Sequence, residues 1–141
     1  MLDTQVNFNF AGSTRGAFAR TRKILVVDDE HVMLRFIETS LRAAGFEHLI
    51  FAQNGVSVPA LAMQERPQLI IMDVMMPMGN GLRALRLLKQ NVDTAGIPVI
   101  LTSGFDVHTL GECAQEHASF VVSKPFTPEQ IVSHVEQLLA D

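Results

Sequence analysis

The sequence is poor in the residues that mark several classes of protein. Cys113 is its only cysteine, which excludes an internal disulfide and a cluster of thiolate metal ligands. No apolar stretch approaches the roughly 20 residues that span a bilayer, and the N-terminus lacks the apolar core of a secretory signal. The formal net charge of -4 provides no basic field for nucleic acid. We therefore expect a cytoplasmic protein that binds neither membrane nor nucleic acid.

The remaining composition is that of a globular domain. With 141 residues, 48% of them hydrophobic, the chain is long enough for one domain with a substantial core. Residues 1–22 show no hydrophobic period, and the charges between Arg15 and Lys23 are all positive. We predict a flexible tail over residues 1–22 and a folded domain over 23–141. The alternative for the tail is an arm that docks its phenylalanines on a partner or on its own domain.

The stretch Leu69–Pro77 (LIIMDVMMP) organises the rest of the chain. Its uninterrupted apolar run is typical of a strand buried on both faces of a parallel sheet. The Met-Met-Pro turn predicts that this strand stops just after Asp73, so that the carboxylate lies at the carboxyl end. In open α/β sheets, ligand-binding and catalytic sites form in the crevice outside those ends.

Five predicted strands alternate with five predicted helices. The strands are expected at residues 24–27, 46–51, 69–73, 97–101 and 120–123, with the second at an edge. A helix follows each strand: Gly45 ends the first, Ser57 caps the second, and Thr127 with Gln130 forms a capping box for the fifth. The fourth, about 106–116, contains Gly111, which costs about 1 kcal/mol relative to Ala inside a helix, and is expected to be the least firm. This alternation predicts a parallel sheet with right-handed crossovers and helices on both faces.

Polar side chains stand where four of these strands end. They are Asp28 with Asp29, then Asp73, Thr102 and Lys124. Each has an ordinary explanation alone: an aspartate can cap a helix, a threonine can end a strand, and a lysine can be solvated. In a parallel sheet, however, these ends share one edge, so we expect the four segments to form one site.

The chain resembles the receiver domain of bacterial two-component response regulators over residues 23–139. The resemblance rests on four ordered motifs, ILVVDDE at 24–30, IMDVMMP at 71–77, PVILT at 98–102 and KPF at 124–126. It implies a flavodoxin-like, doubly wound, five-stranded parallel sheet of order 2-1-3-4-5. It also implies that Asp73 is the phosphoacceptor, receiving its phosphoryl group from the histidine of a partner kinase or phosphotransfer protein.

The same resemblance implies the remaining site. Asp28, Asp29, Asp73 and the backbone carbonyl of Met75 would bind Mg²⁺. Thr102 and Lys124 would contact the phosphoryl oxygens, and the Lys124–Pro125 bond is often cis in this family. The chemistry agrees, because clustered carboxylates repel one another without a cation and Mg²⁺ prefers oxygen ligands.

Three positions depart from the family pattern. The aromatic residue usually found three residues before the lysine is replaced by Val121, and Phe120 precedes it, so either Phe120 takes that role or the aromatic switch is missing. Met75 and Gly104 occupy the places whose side chains help to align the attacking water. Neither residue can align water, so we predict slow self-dephosphorylation.

We expect a phosphorylation-controlled binding module rather than an enzyme. Because the sequence ends about two residues after the last predicted helix, no output domain is expected, and output would pass through the face of helix 4, strand 5 and helix 5. Whether the chain is complete, forms a homodimer or serves a phosphorelay stays open, as do its kinase and its target.

Two other functions compete with that interpretation. An aspartyl-phosphate phosphohydrolase usually has a second acid two residues after the nucleophile, where this chain has Met75. A flavin- or nucleotide-binding protein of flavodoxin-like fold would need a glycine-rich phosphate loop, and none follows the first strand.

Overall fold

The computed structural model of the chain describes residues 21–76, 80–106 and 110–140. Of the predicted tail, only Thr21 and Arg22 belong to these ranges. The strands are β1 (Ile24–Val27), β2 (Leu49–Ala52), β3 (Leu69–Asp73), β4 (Val99–Ser103) and β5 (Phe120–Ser123). The helices are α1 (His31–Ala43), α2 (Val58–Glu65), α3 (Gly81–Gln90), α4 (Glu112–His117) and α5 (Pro128–Leu139).

The five strands form one parallel sheet of order β2-β1-β3-β4-β5, which confirms the predicted topology. The register pairs Val27 with Met72 and Asp73 with Thr102. The carboxyl ends of the central strands are therefore level with one another.

Alternate residues of the strands pack on opposite faces of the sheet. Ile24 and Val26 join a cluster with the apolar faces of α1 and α5. Leu25 and Val27 join a second cluster with α2, α3 and α4. Both faces of the central strands are thus covered by helices, which is why these strands are apolar without interruption.

Two strands begin later than predicted because turns hold the residues before them. The Phe46 amide donates to the Leu41 carbonyl at the end of α1, beside Gly45 with a φ of 97°. The Ile97 amide donates to Thr94, and the Ile97 carbonyl accepts from Lys89 Nζ at 2.8 Å. Both segments therefore serve as connections, and β4 extends through Thr102 to Ser103.

The prediction that Gly111 lies inside the fourth helix is wrong. Helix α4 begins at Glu112, and Gly111 precedes it with a φ of 85° and a ψ of -177°. That conformation is almost exclusive to glycine. The glycine therefore makes the turn into α4, and the predicted residues 107–109 lie outside the described ranges.

The predicted capping box is confirmed. The Thr127 side chain accepts from the Gln130 amide, and the Gln130 side chain accepts from the Thr127 amide. Ser57 holds the N-cap position of α2 but makes no side-chain cap, since its backbone is already helical, with a φ of -79° and a ψ of -11°. Its hydroxyl instead donates to the Asn54 carbonyl. Within the described ranges, no helix combines the length and apolar character needed to cross a membrane.

Candidate functional site

The carboxyl edge of the sheet brings the predicted strand-end residues together. Asp28 follows β1, Asp73 ends β3, Thr102 lies near the end of β4, and Lys124 follows β5. Backbone hydrogen bonds extend the sheet just past these ends, from the Val74 amide to the Thr102 carbonyl and from the Lys124 amide to the Ser103 carbonyl. The backbone itself therefore fixes where each side chain starts.

The Lys124 ammonium lies between two carboxylates. Its Nζ is 3.2 Å from Asp28 Oδ2 and 3.4 Å from Asp73 Oδ1. Burial alone would lower the pKa of Lys124, but the charges of Asp28 and Asp73 outweigh it and raise the pKa above its usual value. The lysine is therefore held in its charged form beside Asp73.

The negative charge of the ionised Asp73 carboxyl is not fully compensated by its neighbours. Burial raises its pKa above the usual value, and the neighbouring Asp28 carboxylate raises it further. Lys124 and a hydrogen bond from the Met75 amide oppose this shift without cancelling it. Since the ionised form is destabilised here, the site favours an additional cation.

Three carboxylates are placed to share such a cation. Asp28, Asp29 and Asp73 each offer an oxygen, and these oxygens lie within 4.8 Å of one another. Asp28 also accepts a hydrogen bond of 2.9 Å from the Glu30 amide, which orients its carboxylate. With Lys124 as the counter-charge, three carboxylates and one ammonium sum to -2. An all-oxygen site of that charge suits Mg²⁺.

The Thr102 hydroxyl is buried, and among the described residues it has no hydrogen-bond partner. Its residue is 1% exposed and pairs with Asp73 in the register of β3 and β4. Buried hydroxyls nearly always have a partner, so an unsatisfied one calls for an explanation. A ligand oxygen beside Asp73 would provide one.

Sequence reasoning overlooked Gly81, the first residue of α3. A Cβ at this position would collide with the Asp73 carbonyl oxygen and would lie 3.0 Å from the Val74 Cα. Only glycine lets α3 begin so close to the backbone of the candidate nucleophile. Its place in a loop signal, Gly79-Asn80-Gly81, was visible, but the close approach depends on the tertiary fold.

The structure separates the two candidates for the aromatic position. Phe120 packs with the cluster on the α1 and α5 face, and its ring centroid lies 4.1 Å from that of His134. Val121 packs on the other face, with the cluster that contains Ala114 of α4. Phe120 is therefore an element of the opposite core. The position that precedes Lys124 by three residues carries valine.

The Lys124–Pro125 peptide bond is cis, as the resemblance implied. Met75 is 53% exposed at the rim of the site, and the space around Gly104 is open, with no described atom within 4 Å of a Cβ placed there. The predicted loop at Met78 and Gly79 lies outside the described ranges.

The chain is similar to known signalling proteins over most of its length. Residues 24–136 match the family described as the response regulator receiver domain. Protein PilH of Pseudomonas aeruginosa is 32% identical over 119 residues, which cover 84% of this chain and 98% of PilH. The phosphate regulon transcriptional regulatory protein PhoB of the same organism is also 32% identical over 84% of this chain, which spans about half (52%) of PhoB's length.

A solved structure shares the fold. The receiver domain of a Pseudomonas aeruginosa sensor histidine kinase, with magnesium in its active-site cleft, has a TM-score of 0.75 and 22% identity. The match covers 84% of this chain and 98% of that one.

Proposed function

The chain belongs to the response regulator receiver domain family, and from this membership we propose that Asp73 is the residue that accepts the phosphoryl group. Members of this family are phosphoacceptor signalling modules rather than classical enzymes. The donor would be a phosphorylated histidine of a partner kinase or phosphotransfer protein. Phosphorylation would then change which proteins the domain contacts.

One observation carries the proposal: Lys124 Nζ lies 3.4 Å from Asp73 Oδ1 at the carboxyl end of β3. A carboxylate oxygen there can attack phosphorus in line. The phosphorus–oxygen bond forms as the phosphorus–nitrogen bond of the donor breaks, and the departing imidazole nitrogen takes up a proton. The Lys124 ammonium then faces an acyl phosphate that carries more negative charge than the carboxylate did.

The three carboxylates would hold Mg²⁺, together with the backbone carbonyl of Met75. Their mutual distances, within 4.8 Å, and the magnesium seen in the related receiver domain support this assignment. When bound, the ion neutralises charge on the transferring phosphoryl group. Asp28 and Asp29 would supply the other two carboxylate ligands. The Met75 amide donates a hydrogen bond to the Asp73 carboxylate, which orients it.

The buried hydroxyl of Thr102 would donate to a phosphoryl oxygen on Asp73. Its lack of a described partner supports this role. Thr102 is followed by Ser103 and by the connection to α4, the shortest of the described helices at six residues. A movement of Thr102 would therefore reach α4, and the output surface would be the face of α4, β5 and α5.

A small phosphodonor tests the assignment without the partner kinase. The protein is incubated with Mg²⁺ and acetyl phosphate, and the intact mass is measured. We expect a gain of one phosphoryl group in the wild type and in Asp93→Asn, an exposed control near the opposite end of the sheet. Asp73→Asn should gain none, and neither should the wild type in EDTA. An undiminished adduct on Asp73→Asn would refute the proposal.

A further inference from the structure

We propose that the groove between α2 and α3 binds an amphipathic helix of a partner protein, one whose apolar stripe is flanked by acidic side chains. The groove has a volume of about 360 Å³ and is lined by Gly55, Val56, Asn80, Arg83, Ala84 and Leu87. We call it the α2–α3 groove. None of its lining residues belongs to the carboxylate cluster around Asp73.

Two large exposed apolar side chains line this groove, and a third lies near one end of it. Val56 is 65% exposed and Leu87 is 41% exposed. Met63 of α2, also 41% exposed, contacts Asn91, which lies one helical turn beyond Leu87: Asn91 Nδ2 is 3.3 Å from Met63 Sδ. Val56 and Leu87 therefore line the groove and Met63 extends the apolar surface beside it, whereas single exposed apolar residues elsewhere would need no explanation.

The outer side of helix α2 is polar only at its carboxyl end, where Gln64 is exposed. Its sequence, VPALAMQE, contains only two polar residues, and both stand at its carboxyl end. Val58 and Ala62 face the core, while Ala60 and Met63 are exposed on the outside. The outer side of a surface helix is normally polar, so the apolar first part of this outer side, up to Met63, favours a covering partner.

The charges beside the groove are positive. Helix α3 carries Arg83, Arg86 and Lys89 and no acid. The one acid of α2, Glu65, lies 3.4 Å from Lys23 and is already paired. Among the described residues, Arg83 and Arg86 have no ion-pair partner. In a chain with a net charge of -4, this local excess of arginine selects an acidic partner.

The chain's own N-terminal segment does not have that chemistry. Residues 1–20 contain one acid, Asp3, and two arginines, Arg15 and Arg20, so the segment is basic like the groove. The length of the groove suits a helix. Helix α3 has ten residues and is about 15 Å long, which a partner helix of about three turns would match.

Selection from a peptide library tests the proposal. A phage-displayed library of random peptides, long enough for four helical turns, is panned on the intact chain, and bound peptides are mapped by amide chemical shifts. We expect apolar residues at helical spacing, an excess of acids, and shift changes centred on Val56, Met63 and Leu87. Recovery of no such peptide would overturn the proposal, as would mapping to another surface.

Matched variants test the two parts of the surface. We expect Arg83→Glu and Leu87→Ala each to weaken binding by about tenfold. Arg35→Glu and Val32→Ala, at exposed positions on α1, should change it less than about twofold. All four sites are exposed, so folding is checked by circular dichroism. Unchanged binding by Arg83→Glu would contradict the acidic partner. A dimer in solution that Leu87→Glu abolishes would identify a second copy as the occupant and overturn the proposal.

Discussion

Burial of the Asp73 carboxyl beside Asp28 raises its pKa, so its ionised form opposes folding. The folded chain keeps the proton to higher pH than the unfolded chain does. The resulting loss of stability therefore develops as the pH rises from the usual value of 3.8 through the raised pKa. Asp73→Asn should thus be more stable than the wild type at pH 7 without metal.

Thermal unfolding across a pH series checks this prediction. A gain of about 1 kcal/mol would raise the Tm by roughly 4 °C in a domain of this size. The gain should vanish well below pH 3.8, where the carboxyl is protonated in both states. Asp93→Asn, an exposed control, should differ little from the wild type at either pH. A destabilised Asp73→Asn at neutral pH would contradict the account.

The residues around Asp73 also predict a long-lived phosphoryl group. Met75 is 53% exposed and apolar, and Gly104 has no side chain, so neither aligns a water molecule for attack. After the donor is removed, we expect the adduct on the purified wild type to persist for minutes or longer. Intact-mass measurements over time check this. Met75→Asn should shorten its lifetime. Loss from the wild type within seconds would count against this prediction.

The sequence predicted the parts of the site that local patterns determine, and it missed those that depend on tertiary contacts. The positions of Asp28, Asp73 and Lys124 follow from apolar runs and turn signals, which are local, and from the single edge that parallel strands share. Gly81 could not be found that way, because its need for glycine arises only where α3 meets the Asp73 carbonyl. The face of Phe120 likewise depended on a register that neighbouring strands set.

Among the elements, the start of α4 can be tested with Gly111→Ala, because the predicted and the observed positions of Gly111 imply stability changes of opposite sign. If Gly111 lay inside a helix, Gly111→Ala would stabilise the protein by about 1 kcal/mol. With a φ of 85° and a ψ of -177°, the same change should instead destabilise it by about 1–3 kcal/mol. Denaturant unfolding measures the difference. Gly96→Ala is the control, because a Cβ at Gly96 has no described atom within 4 Å. A stabilised Gly111→Ala would restore the original prediction.

Element boundaries were predicted less well than element identities. Phe46 and Ile97 lie in apolar runs and look like strand residues, yet turns hold them outside the strands. At Ile97 the cause is Lys89, whose Nζ donates to the carbonyls of Ala95 and Ile97 from eight residues or fewer away. Hydrophobic pattern alone does not reveal such side-chain contacts to the backbone.

For the whole molecule, we predict that Mg²⁺ stabilises the fold. Three carboxylates and one ammonium leave a charge of -2 at the site, and a bound divalent cation neutralises this charge. The Tm should rise with Mg²⁺, by an amount equivalent to about 1.4 kcal/mol at ten times the dissociation constant. Asp29→Asn removes one ligand without removing a Lys124 contact, so its rise should be smaller at equal Mg²⁺. Equal rises in both proteins would place the ion elsewhere.

The central claim is that Asp73 carries the phosphoryl group, and chemical trapping tests it most directly. Protein treated with acetyl phosphate and Mg²⁺ is reduced with borohydride, which converts an aspartyl phosphate to homoserine, and its peptides are sequenced by mass spectrometry. We expect homoserine at position 73 and at no other aspartate. Homoserine at position 28, 29 or 93, with aspartate intact at 73, would contradict it.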